Sequence, residues 1–237
     1  MMDLASYSDR GGRAENEDSV RELRQDPDRL CLVVADGLGG HGGGSLASST
    51  AVEVICGAWP GTADVEDLTD MVLRANRAVL SKQLPDCCMK TTVALLALEG
   101  AKAAWAHVGD TRLYHFYQGR LDFQTKDHSA SQVAVLLGEI TPDQIRFHVD
   151  RSRILRALGQ KDDMRVETKD LALSPGRHAF LLCTDGFWEY VLEAEMVQDL
   201  AKAGSAAAWL DLMRARLAQR APEDNDNNTA AAVLLDI

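Results

Sequence analysis

Four aspartates stand at the ends of apolar runs that are far apart in the chain. Asp36, Asp110 and Asp185 each follow such a run beside a glycine, and Asp226 precedes the final run. Apolar runs of this length are typical of buried β-strands, so strand packing would fix the positions of these carboxylates. An unpaired buried carboxylate is costly, and neighbouring carboxylates repel one another. Hard divalent cations relieve both costs, because they prefer oxygen ligands.

Each Asp-Gly pair, taken alone, indicates a turn, because Asp hydrogen-bonds its own backbone and Gly supplies a positive φ angle. The joint occurrence of four such aspartates changes this interpretation, and the acidic pair Glu17-Asp18 adds to the set. The carboxylates therefore predict a shared cation site.

The bulk composition favours a globular protein of one domain, spanning residues 1–237. Hydrophobic residues make up 46% of the chain, and neither a proline- or serine-rich linker nor a repeat interrupts it. A net charge of −11 argues against nucleic acid or an anionic membrane as partner. Five cysteines without a C-x-x-C pair, and the absence of a visible secretory signal or long apolar run, predict a cytoplasmic location.

Alternating and continuous apolar patterns predict where the strands and helices lie. Strands are predicted at 3–8, 30–35, 92–99, 103–108, 111–118, 120–124, 164–170, 179–184 and 230–237. Helices are predicted at 45–59, 68–84, 129–137, 194–203 and 205–219, with a short helix beginning at Thr141. Strands joined by tight turns, with helices in groups, indicate mainly antiparallel sheets covered by helices.

The glycine-rich stretch 36–42 has a second possible interpretation. Gly37, Gly39 and Gly42 satisfy G-x-G-x-x-G, so a dinucleotide-binding turn, and with it a nucleotide-dependent oxidoreductase, must be weighed. Asp36 directly before the glycines would repel a pyrophosphate, and a helix is predicted where the second strand of the motif should end. A role of this backbone around a cation is therefore preferred.

Seven short motifs follow one another along nearly the whole chain: R-x-x-N-E-D at 13–18, D-G-L-G-G-H at 36–41, T-T at 91–92, V-G-D-T-R at 108–112, D-H-S at 127–129, T-D-G at 184–186 and D-N-x-T at 226–229. The ordered set resembles the bacterial metal-dependent protein phosphatases, the type 2C serine/threonine class. The resemblance implies an α+β fold, a four-layer α/β/β/α sandwich of two antiparallel β-sheets flanked by helices. It also implies a flap insert at about 138–163.

The resemblance further implies a centre that holds two Mn²⁺ or Mg²⁺ ions. Asp36 would bridge both ions, the Gly37 carbonyl would bind the second, and Asp185 and Asp226 would bind the first. These ligands match the chemistry of both cations, which favour oxygen donors and keep several waters.

Three further residues match the motifs of the family. Glu17 would hold the second ion through water, Asp110 would help to hold a third, weaker ion, and Arg13 would bind the phosphate. Arginine suits the last role because its planar fork matches phosphate oxygens. The doubled acids near the end of the chain leave Asp224 as an alternative register, and Asp226 is preferred because it completes D-N-x-T.

The function implied is that of a phosphoprotein phosphatase that hydrolyses phosphoserine and phosphothreonine by direct attack of a water activated by two metal ions. Its partners would be phosphorylated proteins and an opposing bacterial Ser/Thr kinase, and it would act as a monomer. Leu38 stands where some eukaryotic members have a histidine, which leaves the general acid unassigned. The alternative is a non-catalytic module of the same fold that binds phosphoproteins.

The flap segment carries several arginines in an otherwise acidic chain. Arg146, Arg151, Arg153 and Arg156 lie within eleven residues. A local basic patch attracts anionic substrates, so the segment is predicted to help in choosing phosphopeptides. The alternative is a self-contained insert whose arginines pair internally.

Overall fold

The computed structural model describes residues 2–38, 43–83, 89–161 and 164–237. Its strands are β1 (Asp3–Asp9), β2 (Ser19–Asp26), β3 (Arg29–Ala35), β4 (Gly37–Leu38), β5 (Lys90–Thr91), β6 (Val93–Glu99), β7 (Lys102–Val108), β8 (Arg112–Tyr117), β9 (Arg120–Gln124), β10 (Glu167–Ala172), β11 (Arg177–Cys183) and β12 (Asn228–Asp236). Its α-helices are α1 (Gly43–Ala58), α2 (Val65–Lys82), α3 (Ala130–Leu136), α4 (Asp185–Trp188), α5 (Glu193–Lys202) and α6 (Ala206–Arg220), with a 3-10 helix at Pro142–Phe147. In the described ranges, no helix combines the length and the apolar character needed to cross a bilayer.

Ten of the strands form two five-stranded sheets. The first sheet has the order β1-β12-β11-β8-β9, the second has the order β10-β7-β6-β3-β2, and β4 pairs with β5 separately. Every strand pair among the described residues is antiparallel. The strand before the glycine-rich stretch, β3, thus lacks the parallel β-α-β unit that a dinucleotide-binding turn requires. Gly39, Gly42 and His41 themselves lie outside the described residues.

The two sheets pack face to face, and helices cover the outer face of each. Leu32 and Val34 of β3 meet Leu182 of β11 and Val233 of β12 in the apolar layer between the sheets. The alternate residues of β3 face α1 and α2, while α5 and α6 cover the first sheet. Since side chains of a strand alternate between its faces, these continuous apolar strands are buried on both sides. The predicted four-layer sandwich is confirmed.

Some element boundaries differ from those predicted. Sequence patterns missed β2, an edge strand in which half of the residues are exposed and none is fully buried. Helix α2 begins before residue 68 because Asp64 caps its first turn, accepting from the backbone N–H of Glu66 at 2.8 Å. Asp185 starts a helical turn directly after β11. The predicted end of α2 at Leu84 lies outside the described residues.

The segment 138–161 contacts the body of the protein through its arginines. Arg146 pairs with Glu193, and Arg151 pairs with Glu189 at 2.7 Å. Both acids belong to the region of α4 and α5, so these two arginines do not pair internally. The end of the predicted flap, 162–163, lies outside the described residues.

His107, on β7, is fully buried, and neither of its ring nitrogens has a hydrogen-bond partner among the described residues. Burial lowers the pKa of His107 well below its ordinary value, with the Arg156 guanidinium adding to the effect, so the folded protein holds this ring neutral. The unfolded chain binds a proton below about pH 6.5. The stability contributed by the neutral ring is therefore complete above that pH and is lost as pH falls toward the folded-state pKa.

His107→Phe keeps a flat ring and removes the titrating group. We expect this variant to lose less unfolding free energy per pH unit than the wild-type protein below about pH 6.5. The wild-type protein should lose up to about 1.4 kcal/mol more per pH unit than the variant in this window. Urea denaturation at a series of pH values, followed by circular dichroism, measures both slopes. Parallel slopes would show that His107 does not titrate between the two states.

Candidate functional site

Four aspartates from distant parts of the sequence meet at one end of the sandwich. Asp36 follows β3, Asp110 follows β7, Asp185 begins α4 and Asp226 precedes β12. We call these four residues the carboxylate cluster. Asp36 lies within electrostatic range of the other three, so the structure brings together the predicted set.

The register between β11 and β12 explains why Asp185 and Asp226, two members of the cluster, lie close together. Cys183 of β11 pairs with Ala230 of β12, and beyond this pair the Thr184 amide donates to the Thr229 carbonyl at 3.0 Å. The Thr229 amide in turn donates to the Thr184 hydroxyl at 3.0 Å. This continued pairing of Thr184 with Thr229 brings Asp185 close to the segment that contains Asp226. Asp224 is exposed, whereas Asp226 faces the cluster, which agrees with the preferred register.

Burial and mutual repulsion raise the pKa values of these acids. The pKa of Asp36 is raised well above its ordinary value, first by burial and then by Asp185 and Asp18. The pKa of Asp185 is raised to about 7 by burial, with Glu189 and Asp226 adding to the effect. Burial also raises the pKa of Asp110, with Asp185 as the next cause. The cluster is therefore a place where positive charge is strongly favoured.

Glycine allows the backbone to approach closely on one side of the cluster. A Cβ atom at Gly44 would lie 2.6 Å from Glu17 Oε1 and 2.7 Å from the Gly37 carbonyl oxygen. The two oxygens thus flank a space that any larger residue at position 44 would fill. Glu17 is held there by its backbone, whose N–H donates to Asn227 Oδ1 at 2.8 Å and whose carbonyl accepts from Ser48 at 2.6 Å.

A second close approach joins the Asp185 and Asp226 loops. A Cβ atom at Gly186 would lie 2.1 Å from the Asn227 carbonyl oxygen. Only glycine fits this contact, which brings the loop of Asp185 against the loop of Asp226. The glycine beside Asp185 therefore serves packing, since α4 begins at this point instead of a turn.

Arg13 reaches the edge of the cluster. Its Nη2 atom donates to Asp226 Oδ2 at 2.7 Å, and both side chains are about half exposed. The loop that carries Arg13 packs on the loop before β12, because the Gly12 amide donates to the Asn225 carbonyl at 2.9 Å. An exposed guanidinium next to the acids can exchange its carboxylate partner for an anion from solvent.

Asp18 belongs to the same site. The sequence counted the pair Glu17-Asp18 with the predicted cation site and gave an individual ligand role only to Glu17. Its Oδ2 atom accepts from the Thr184 hydroxyl at 2.9 Å, and its Oδ1 atom is buried without a partner among the described residues. Burial raises the pKa of Asp18 to about 7. Recognition of the edge strand β2, which begins at the next residue, would have placed Asp18 at a strand end like Asp36.

The loop of Asp110 is held from two sides. The indole Nε1 of Trp188 donates to the Asp110 carbonyl at 3.0 Å, and the Gly109 amide donates to His128 Nδ1 at 3.0 Å. The Asp110 side chain is buried, and its Oδ1 atom has no partner among the described residues. A buried oxygen of this kind is available as a ligand.

The donor set fits hard divalent cations. Within the described ranges, no arginine, lysine or histidine forms an ion pair with Asp36, Asp110 or Asp185. Among the described residues, the site offers carboxylate and backbone oxygens and no thiolate or imidazole, which is the chemistry that Mg²⁺ and Mn²⁺ prefer. We conclude that the residues present match the cations predicted from the sequence.

Comparison with known proteins gives relatives over most of the chain. The serine/threonine protein phosphatase PstP of Mycobacterium tuberculosis is 34% identical over 216 residues, which are 86% of this chain and 40% of PstP. The chain thus spans well under half of the length of this relative. The serine/threonine phosphatase stp of Listeria welshimeri is 28% identical over 229 residues, covering 92% of this chain and 90% of the relative.

A solved structure shares the fold. The catalytic domain of PstP in complex with two manganese ions superposes with a TM-score of 0.80 and 29% identity, covering 99% of both chains. The model of the protein phosphatase 2C family matches residues 7–227. With this match, the sandwich fold and the gathered aspartates, the chain belongs to the protein phosphatase 2C family.

Proposed function

We propose that this protein is a metal-dependent phosphatase that hydrolyses phosphoserine and phosphothreonine in proteins. The observation that carries the proposal is the carboxylate cluster, whose oxygens converge without a cationic partner on Asp36, Asp110 or Asp185 among the described residues. The names of the relatives support the choice of a protein substrate.

The proposed ligands divide into two groups around Asp36. Asp185 and Asp226 would hold one cation with Asp36, and the Gly37 carbonyl and Glu17 would hold the other. Asp110 would serve a third, weaker site. Mn²⁺ or Mg²⁺ bound here would acidify water for attack on phosphorus and neutralise charge on the phosphoryl group. The PstP structure with two manganese ions supports a site for two cations.

The residues of the chain would bind and orient the substrate. Arg13 is exposed and already contacts Asp226, so its guanidinium can turn to two phosphoryl oxygens without a change of backbone. Bidentate binding fixes the direction of the phosphate relative to the cluster, which is a large part of catalysis in phosphoryl transfer.

We expect Arg13→Lys to lower kcat/KM about tenfold, mainly through a higher KM, because lysine keeps the charge and loses the planar fork. Phosphate release from phosphoserine and phosphothreonine peptides at saturating Mn²⁺ measures both constants. Arg10→Lys, in the same loop, is the matched control. Equal effects of the two substitutions would contradict a phosphate-binding role, and absence of Mn²⁺-dependent release by the wild-type protein would contradict the proposed function.

A second candidate, the non-catalytic module that binds phosphoproteins, is favoured if calorimetry finds tight Mn²⁺ binding and no phosphopeptide is hydrolysed. The opposing Ser/Thr kinase, the monomeric state, the cytoplasmic location and the choice of phosphopeptides by the flap stay predictions. Arg146 pairs with Glu193 of α5, and Arg151 pairs with Glu189, the residue after α4. Since Asp185 begins α4, these ion pairs support a role of the flap near the site.

A further inference from the structure

His128 forms two hydrogen bonds with the backbone of Gly109, the residue before Asp110. The His128 amide donates to the Gly109 carbonyl at 2.7 Å, and the Gly109 amide donates to His128 Nδ1 at 3.0 Å. A backbone N–H can only donate, so Nδ1 must be the unprotonated nitrogen of the ring. The ring is therefore neutral, and its proton lies on Nε2.

The proton on Nε2 has an acceptor within reach. Glu167 Oε2, on the edge strand β10, lies 3.2 Å from His128 Nε2. Arg156 Nη1 lies 3.1 Å from the same nitrogen, but it is a donor like Nε2–H, and it also lies 3.3 Å from the Arg165 carbonyl. Glu167 is therefore the group that fixes the tautomer of His128.

The same residues resemble a second cation site. His107, His128 and Glu167 offer ligand atoms that all lie within 4.8 Å of one another. A cation needs the free lone pair of a ring nitrogen, yet Nδ1 of His128 accepts from Gly109 and Nε2 carries the proton. The guanidinium of Arg156 would also repel a cation at this point. The geometry thus favours a hydrogen-bond relay over a metal site.

We propose that Glu167 is a positioning residue for Asp110, acting through His128 and the Gly109 amide. Glu167 accepts the Nε2 proton, which leaves Nδ1 to hold the Gly109 amide and so fixes the Asp110 carboxylate at the weaker cation site. Trp188 holds the backbone on the other side of Asp110 by donating to the Asp110 carbonyl. The inference rests on the proposed function only in taking Asp110 as a cation ligand.

The tautomer can be measured without any metal. Long-range ¹H–¹⁵N correlation spectra of the metal-free protein should show His128 protonated at Nε2 and unprotonated at Nδ1 at neutral pH. Glu167→Gln should keep this pattern, because its amide oxygen also accepts. A proton on Nδ1 overturns the proposal, and so does a change of the His128 nitrogen shifts on addition of Zn²⁺ that Glu167→Ala abolishes.

Calorimetric titration with Mn²⁺, without substrate, tests the effect on the cluster. Asp110→Asn identifies which Mn²⁺ site depends on Asp110. We expect Glu167→Ala to weaken that site about tenfold, since outer partners of ligands typically change metal affinity by about 10–100-fold. Glu167→Gln should restore most of the affinity. Asp170→Ala, which removes an exposed acid from the same strand, should leave it unchanged.

The outcomes separate the two proposals. Equal effects of Glu167→Ala and Asp170→Ala overturn the positioning role, as do equal losses in Glu167→Ala and Glu167→Gln, which would indicate a general effect of charge. An Asp110→Asn protein with unchanged Mn²⁺ binding also overturns it. Failure of the wild-type protein to hydrolyse phosphopeptides would instead refute the proposed function. The difference in Mn²⁺ affinity between Glu167→Ala and Asp170→Ala would still decide the role of Glu167.

Discussion

Asp36→Asn is expected to lower Mn²⁺-dependent phosphate release by about a thousandfold or more while the protein keeps its fold. Asp36 is the proposed ligand shared by both cations, so its loss would remove the charge on which both depend. Asparagine has the same shape and no charge, and it relieves repulsion among the neighbouring acids. The melting temperature of the metal-free variant should therefore be unchanged or higher.

Steady-state kinetics with p-nitrophenyl phosphate and a phosphopeptide measure the loss, and circular dichroism checks the fold. Asp224→Asn is the matched control, because this exposed acid lies two residues before Asp226 and outside the cluster. Substantial activity in Asp36→Asn, or an equal loss in Asp224→Asn, would contradict the proposed ligand set.

The largest effect on stability is expected from Asp127→Ala. Asp127 accepts two hydrogen bonds from Arg112, at 2.8 Å and 2.7 Å, and both side chains are almost fully buried. The guanidinium of Arg112 lies 3.5 Å from the ring centroid of Trp188. Removal of Asp127 leaves the buried guanidinium of Arg112 without its carboxylate partner, and such losses cost about 3–5 kcal/mol of unfolding free energy.

Urea denaturation of the metal-free proteins measures this cost. Asp70→Ala, which breaks the exposed pair with Arg74, should cost less than about 1 kcal/mol and serves as the control. The double variant Arg112→Met with Asp127→Leu should recover much of the loss, since it leaves no unpaired charge. A small cost for Asp127→Ala would mean that solvent or another group compensates Arg112.

The sequence predicted the fold where apolar runs are continuous. Strands such as β3 and β11 are buried on both faces, so their patterns are strong, and the aspartates that follow them could be located. The edge strand β2 has no such run, because Arg21, Glu22 and Arg24 face solvent. Because this strand was missed, Asp18 was counted with the cation site only as part of the acidic pair and received no individual role.

The contacts that shape the site could not be predicted, because they join residues far apart in the chain. Asn227 Oδ1 accepts from the Glu17 amide across 210 positions, and Glu167 meets His128 across 39. Local propensity carries no information on such pairs. The motif resemblance identified the candidate residues of the site. The structure adds the hydrogen bonds from Glu167 through His128 to the Gly109 amide, next to Asp110.

The position of β12 has a consequence for biosynthesis. This strand lies between β1 and β11, and it pairs with residues more than 200 positions earlier. β1 and β11 do not pair with each other, so the first sheet closes only after β12 has been synthesised, and closure of such long loops is slow. The loop of Asp226, which precedes β12, therefore joins the other aspartates of the carboxylate cluster only at this late step.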